Sequence, residues 1–194
     1  DGPVVGTVVV YDLPGRDCFA LASNGELPAT EEGMRRYRED YVDPIRAIVA
    51  DERYAALRIV AVIEPDSLPN LVTNADHPAC QEASPYYREG VAYALDAFAP
   101  LDHVYSYLDA AHSGWLGWPD NAGGTVALFA EVASSTAAGM AAVDGFVTNT
   151  ANTTPLEEPF LEASSQVAGQ EVRSASFYEW NPDLDEVSWA ADLW

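Results

Sequence analysis

The stretch TVVVYDL, Thr7–Leu13, decides how this chain is read: its apolar residues run consecutively instead of alternating. That pattern predicts a strand of a parallel sheet covered on both faces. Working outward, LRIVAVIE (Leu57–Glu64), HVYSYLDA (His103–Ala110) and GFVTNT (Gly145–Thr150) read as three further strands. Helical patterns lie between them. Met34, Tyr37, Tyr41, Ile45 and Ile48 recur at helical spacing, and Pro44 is expected to kink or restart that helix with Asp43 as its N-cap. Ser84-Pro85 reads as the N-cap and first residue of a second helix, with Tyr87, Val91, Leu95 and Phe98 on one face. Gly124–Ser134 is a third, Ala-rich helix. Ala151–Arg173 shows no clear periodicity, and Ser174–Trp180 reads as a short strand or an ordered loop. Asn181-Pro182 is expected to cap a final helix carrying Leu184, Val187, Ala191 and Trp194 on one face.

Strands alternating with helices predict an α/β fold with parallel strands and right-handed crossovers, either doubly wound or a barrel. A full (β/α) barrel takes about 250 residues and eight units. The 194 residues here supply four to five units. The expectation is a single domain over 1–194, an incomplete barrel that exposes a sheet edge and apolar helix faces. Such a chain should show poor stability and little activity by itself.

Composition narrows the function. Hydrophobic residues make up 48% and aromatics 11%, which excludes a disordered chain. No apolar run approaches the roughly 20 residues of a membrane-spanning helix. Asp1-Gly2-Pro3 leads straight into a strand pattern, so any secretory signal has been removed or lies outside this chain. The net charge is -22, and all nine bases are Arg. Such a surface repels phosphate backbones and anionic lipid, which argues against nucleic-acid and membrane partners. Cys18 and Cys80 allow one bridge, and two cysteines alone do not establish an oxidising compartment.

The chemistry is positional. Each strand delivers polar groups at its carboxyl end, where barrels and open α/β sheets carry their sites. The first ends in Tyr11-Asp12 and leads to Arg16-Asp17. The second ends in Glu64-Pro65-Asp66, the third in Asp109 followed by His112, and the fourth in Asn149. Converging carboxylates repel one another, so at least one should hold its proton near neutral pH, as a general acid must. Beside the third end, Gly114–Pro119 (GWLGWP) presents Trp115 and Trp118, badly placed for a core and well placed to stack on a sugar ring. Carboxylates with exposed indoles suggest glycoside hydrolysis. Acidic rims also bind metals, but no His/Cys ligand cluster accompanies this one. Asp12, Glu64, His77 and His103 read as structural groups. Trp180, Trp189 and Trp194 read as core or surface residues.

Three blocks, VVYDLPGRDCFALASNGE (9–26), VIEPDSLPNLVTN (62–74) and YLDAAHSGWLGWPDN (107–121), closely resemble glycoside hydrolase family 6, the inverting β-1,4-glucanases. The later stretch, from TNTANTTPLEEPF to VRSASFYEWNPDLDE, is more similar to the bacterial cellobiohydrolase branch than to short-looped endoglucanases. The resemblance implies a distorted (β/α) TIM-like barrel that needs no metal or cofactor. It implies cellulose hydrolysis with inversion, releasing cellobiose from chain ends, with an endoglucanase or an inactive glucan-binding fragment as alternatives. Asp66 matches the family's general acid, and Asp17 the carboxylate that raises its pKa. Tyr11 matches the tyrosine that crowds the distorted sugar, and Ser23 the serine that helps hold the attacking water. Asp109, His112, Trp115, Trp118 and Asn149 match sugar-contacting positions, and Arg16 is grouped with them. Cys18 and Cys80 fall where the family places a disulfide, which implies a secreted protein. The partner implied is cellulose or a cello-oligosaccharide, acted on by a monomer. The family's remaining rim acid and far cleft wall come later than this chain reaches, and a further stacking Trp comes before Asp1.

Overall fold

Four short β-branched runs form one parallel sheet in the order β1-β2-β3-β4: β1 Val5–Val10, β2 Arg58–Ile63, β3 Val104–Asp109 and β4 Gly145–Val147. The computed structural model describes residues 4–20, 22–162, 164–171 and 183–194. Sequential order with every pair parallel requires a crossover after each strand, and helices supply them. The sheet is open, with β1 and β4 as its edges. The architecture is α/β, as expected, with the strands as an unclosed arc.

One face of the sheet carries the core. Val10, Ile63 and Leu108 lie side by side in register, as do Val8, Ala61 and Ser106. Their neighbours Tyr37, Met34, Tyr87, Val91, Leu95 and Phe98 come from the helices and are fully buried. Each such side chain contributes about 1.5–3 kcal/mol by leaving water. The opposite face differs. Val5 and Val9 are 60% and 46% exposed, and β1 alternates between exposed and covered residues. The consecutive apolar run of Thr7–Leu13 therefore does not report a strand covered on both faces. β1 is an edge strand with helices on one side only, and the strand ends at Val10, before Tyr11.

The first crossover departs from a plain α-helix. α1 (Glu31–Arg36) runs into a π-helical stretch, Tyr37–Val42, and on into α2 (Asp43–Val49) without a break. Asp43 is helical and caps nothing; its carboxylate accepts from the Tyr93 hydroxyl at 2.7 Å. The wider π turn rotates the helix after it, so Val42 and Val49 face the core while Ile48 is 61% exposed. Pro44 sits just after this turn, where its missing N–H is easiest to accommodate.

α3 (Ser67–Thr73) and α4 (Pro78–Phe98) form the second crossover. α4 begins at Pro78, so Ser84-Pro85 is not its start: Pro85 lies inside the helix. An interior proline costs about 3 kcal/mol. The turns ahead of it persist because Cys80 and Ala83 are buried there and Cys80 is bonded to Cys18. α5 (Ser113–Leu116) and α6 (Pro119–Ser135) come after β3. In the stretch without periodicity, β5 (Gln166–Val167) and β6 (Gln170–Glu171) make a hairpin whose turn residues, Ala168 and Gly169, both have positive φ.

The last helix, α7 (Glu186–Leu193), is capped by Asp185, whose carboxylate accepts from Ser188 N at 2.8 Å. Its buried residues are Glu186 and Trp189. The expected face of Leu184, Val187, Ala191 and Trp194 is wrong, since Val187, Ala191 and Trp194 are exposed. The helix turns its buried acid and indole inward because backbone and hydroxyl partners wait there. The expected strand or loop at Ser174–Trp180 and the Asn181-Pro182 cap lie outside the described residues.

Candidate active site

The carboxyl ends of the four strands share a backbone feature. Asp17 after β1, Glu64 and Asp66 after β2, Ala111 after β3 and Asn149 after β4 all have φ between 49° and 59°. A non-glycine residue in this left-handed region costs on the order of 1 kcal/mol or more, and such residues cluster where function requires them. Among the described residues, the other non-glycine example is Ala168 in the hairpin. The strain thus gathers on the rim that the sequence marked.

Buried Glu64 organises the first turn. Its carboxyl accepts from Asp12 N at 3.1 Å, Leu13 N at 3.4 Å and the Tyr37 hydroxyl at 2.8 Å. Burial pushes it up to about 8. Tyr11 N donates to the Tyr41 hydroxyl at 3.0 Å. Arg16 folds back over this turn, donating to Tyr11 O at 2.8 Å, Asp12 Oδ1 at 3.3 Å and Ser23 O at 3.1 Å. Its guanidinium carbon lies 4.3 Å from the centre of the Tyr11 ring. Arg16 is thus spent on holding Tyr11 and the Ser23 loop. Burial and the Asp17 charge push the Tyr11 hydroxyl up to about 12, so it stays protonated.

Asp17 is buried, with one carboxylate oxygen bonded to the Ser23 hydroxyl and the other accepting from Asn70 Nδ2 at 3.4 Å. Asn70 also donates to Asp66 O at 2.6 Å, so one buried amide ties Asp17 to the turn carrying Asp66. Sequence reasoning missed Asn70. The available signal was its place four residues after Asp66 in a helix whose neighbours are apolar.

Asp66 occupies the position before α3, yet its side chain makes no capping bond. Its backbone N–H donates to Asp109 Oδ2 at 3.0 Å. Burial first, and the Asp17 charge second, raise the Asp66 carboxyl to about 6. Asp109 also accepts from Ala111 N at 3.2 Å and is likewise raised to about 6, mainly by burial. The Asp66 and Asp109 carboxyls are therefore raised more by desolvation than by the charge crowding that the sequence led one to expect.

Beyond β3, His112 packs near Trp115, ring centres 6.2 Å apart. Both indoles are half-buried and tethered: Trp115 Nε1 donates to Thr73 Oγ1 at 2.8 Å and Trp118 Nε1 to Gly114 O at 3.0 Å. Asn149 donates from its backbone to Ala111 O at 2.6 Å and exchanges side-chain bonds with Thr154 at 2.9 to 3.2 Å. Asp66, Asp17, Tyr11, Ser23 and Arg16 thus form one bonded or charge-coupled group. Asp109 joins it to the His112, Trp115 and Asn149 side. Cys18–Cys80 is formed, fastening the Asp17 loop to α4. Among the described residues no group of three His, Cys, Asp or Glu side chains could hold a metal ion. No described helix is long and apolar enough to cross a membrane.

Strained turns and raised carboxyls on the carboxyl rim of a parallel α/β domain bring together groups able to take up and donate a proton. Comparison with known proteins says which lineage it comes from: the profile of glycosyl hydrolases family 6 matches residues 3–189, and the chain belongs to that family. It is 58% identical to exoglucanase A of Cellulomonas fimi over 98% of its own length, and spans 22% of that protein. It matches the catalytic domain of Cellulomonas fimi Cel6B with a TM-score of 0.93 at 58% identity, covering 98% of this chain and 43% of that one. It also matches cellobiohydrolase II (Cel6A) from Humicola insolens, solved with glucose and cellotetraose, with a TM-score of 0.79 at 39% identity. That match covers 96% of this chain and 47% of the other.

Proposed function

We propose that this chain carries the acid-bearing part of an inverting β-1,4-glucan hydrolase that releases cellobiose from cellulose chain ends. The observation that carries the reading is Asp66: a carboxyl raised to about 6, on a strained turn, linked through Asn70 to Asp17. Asp66 protonates the glycosidic oxygen as the bond to the departing sugar breaks. The Asp17 charge raises the proton affinity of Asp66 and steadies positive charge developing on the ring. A water bound at Ser23 attacks the anomeric carbon from the opposite face, which inverts its configuration, and its proton passes through the Ser23 hydroxyl to the Asp17 carboxylate bonded to that hydroxyl. Tyr11, held from above by Arg16, limits the ring shapes that fit. Trp115 and Trp118 supply apolar faces for stacking, and Asp109, His112 and Asn149 line the same wall.

The names borne by the relatives, exoglucanase and cellobiohydrolase, support the substrate class. The disulfide supports secretion, because such bonds persist in oxidising surroundings. In the full-length protein, Asp66→Asn should reduce sugar release from swollen cellulose by roughly 10²–10⁴-fold, the usual weight of a general acid. Near-normal release would remove Asp66 from this role. Product cellobiose appearing first as the α-anomer by NMR would support inversion. A fall in carboxymethyl-cellulose viscosity ahead of sugar release would favour the endoglucanase alternative.

A further inference from the structure

α7 contributes two buried polar groups to the rim, and neither belongs to the acid group around Asp66 and Asp17. Trp189 Nε1 donates to Ala110 O at 3.0 Å. Glu186, 2% exposed, accepts from Ser113 N at 2.9 Å and from the Thr154 hydroxyl. Those two partners sit in different loops. Ser113 opens the short helix α5 that carries Trp115, and Thr154 is the residue gripped by the Asn149 side chain. The backbone adds to the join: Glu186 N donates to Pro155 O at 3.2 Å and Val187 N to Leu156 O at 3.1 Å.

We propose that Glu186 is a positioning residue, a buried clasp that fixes the His112–Trp118 segment against the Asn149–Thr154 turn and so sets the spacing between the two loops after β3 and β4. The inference rests on the proposed glycosidase reading only for what those loops hold. A buried carboxyl oxygen accepting from one backbone N–H and one hydroxyl joins two loops through a single atom. Both acceptor bonds can come from one oxygen, since Oε1 is the atom facing Ser113 and Thr154. Oε2 makes no hydrogen bond among the described residues. Glutamine can therefore place its carbonyl oxygen on both donors and its amide where Oε2 lies. Alanine removes the acceptor that joins the two loops: Ser113 N loses its bond to α7, and the Thr154 hydroxyl keeps only Asn149 Oδ1 in its own turn. A loop that must hold a sugar within a fraction of an ångström loses binding when its support goes.

The test compares Glu186→Ala, Glu186→Gln and Thr154→Val in the full-length protein. Peptide-resolved hydrogen exchange reads the clasp without any ligand, and tryptophan fluorescence titration with cellotetraose reads its effect on binding. In Glu186→Ala, exchange should rise roughly tenfold or more over residues 110–118 and 148–156, while β1 and β2 stay as in the parent. Glu186→Gln should restore the parent pattern. Thr154→Val, a milder change in case the alanine variant fails to fold, should loosen 148–156 alone. Cellotetraose affinity should fall roughly tenfold in Glu186→Ala and recover in Glu186→Gln. Unchanged exchange in both segments, or a uniform rise across the whole sheet, overturns the clasp. If the parent chain fails to bind cellotetraose, the glycosidase reading of this wall fails, and the exchange data still decide the clasp.

Discussion

The rim has two halves, and they are held in different ways. Around β1 and β2, the residues of the proposed acid machinery are fastened to one another and to buried side chains of the adjoining turn and helices. Glu64 ties down the Asp12–Leu13 turn, Arg16 pins Tyr11 and Ser23, Asn70 bridges Asp17 and Asp66, and Cys18–Cys80 welds the loop to α4. Around β3 and β4, the groups proposed to meet the sugar have tethers of their own, and the loops that carry them are joined by Glu186 and Trp189 on α7. The difference has a chemical logic. Proton transfer needs tightly fixed distances between charged groups, so short connections through buried partners suit it. A wall that receives a chain of sugars needs spacing across loops, which a single helix bridging them provides.

Several experiments would break or sharpen that contrast. The largest effect belongs to the acid half, the loss of sugar release in Asp66→Asn; an equal loss from Trp118→Ala would erase the division of labour. Next comes the disulfide. Opening the Cys18–Cys80 bridge, which spans 62 residues, should lower stability by about 4 kcal/mol by the chain-entropy estimate. Thermal melts with and without reductant would show it, and an unchanged melting temperature would mean that buried contacts alone hold the Asp17 loop.

A pH series comes third. A general acid works only while protonated, so the alkaline limb of activity should fall through about 6, the value to which Asp66 is raised. Asp17→Asn should move that limb to lower pH. The move should be only part of the displacement from 3.8, because burial is the larger cause and survives the change. A limb that stays in place would show that Asp17 has no charge coupling to the acid.

The smallest effect is on stability. Asp109 is raised from 3.8 to about 6 in the folded state, so folding favours its protonated form. Its stabilising share is complete below pH 3.8 and is lost as pH climbs through 6. The melting temperature should therefore decline over that window, to which the raised Asp66 and Glu64 also contribute, and Asp109→Asn should make the decline shallower by its own share. Repulsion within a chain of net charge -22 adds to the slope in the parent and remains in the variant.

The strand positions and the polar groups at strand ends were legible because consecutive β-branched runs and the residues closing them are local features. Helix registers were harder. The interval from Met34 to Ile48 looks like one amphipathic face, but the π turn at Tyr37–Val42 adds backbone and swings Val49 inward in place of Ile48. Pro85 reads as a helix start by every local rule, and loses to the burial of Cys80 and Ala83 ahead of it. At the site, Asp66, Asp17, Tyr11 and Ser23 could be named from motif resemblance, and Trp115 and Trp118 from their Gly- and Pro-bounded loop. Asn70 had only the mark of a polar residue four places after Asp66 among apolar neighbours, and Glu186 had none, because a lone acid in a helix carries no sign of the distant partner it meets.

What the amino-acid sequence determined unaided was the alternation of strand and helix, the family, and which residue types stand at each strand's end, since all three are written in contiguous stretches. Tertiary structure alone decided which face of β1 is covered, which side of α7 turns inward, and why Asp66 and Asp109 hold their protons. Those outcomes depend on burial, and burial is created when segments far apart in the chain exclude water from one another.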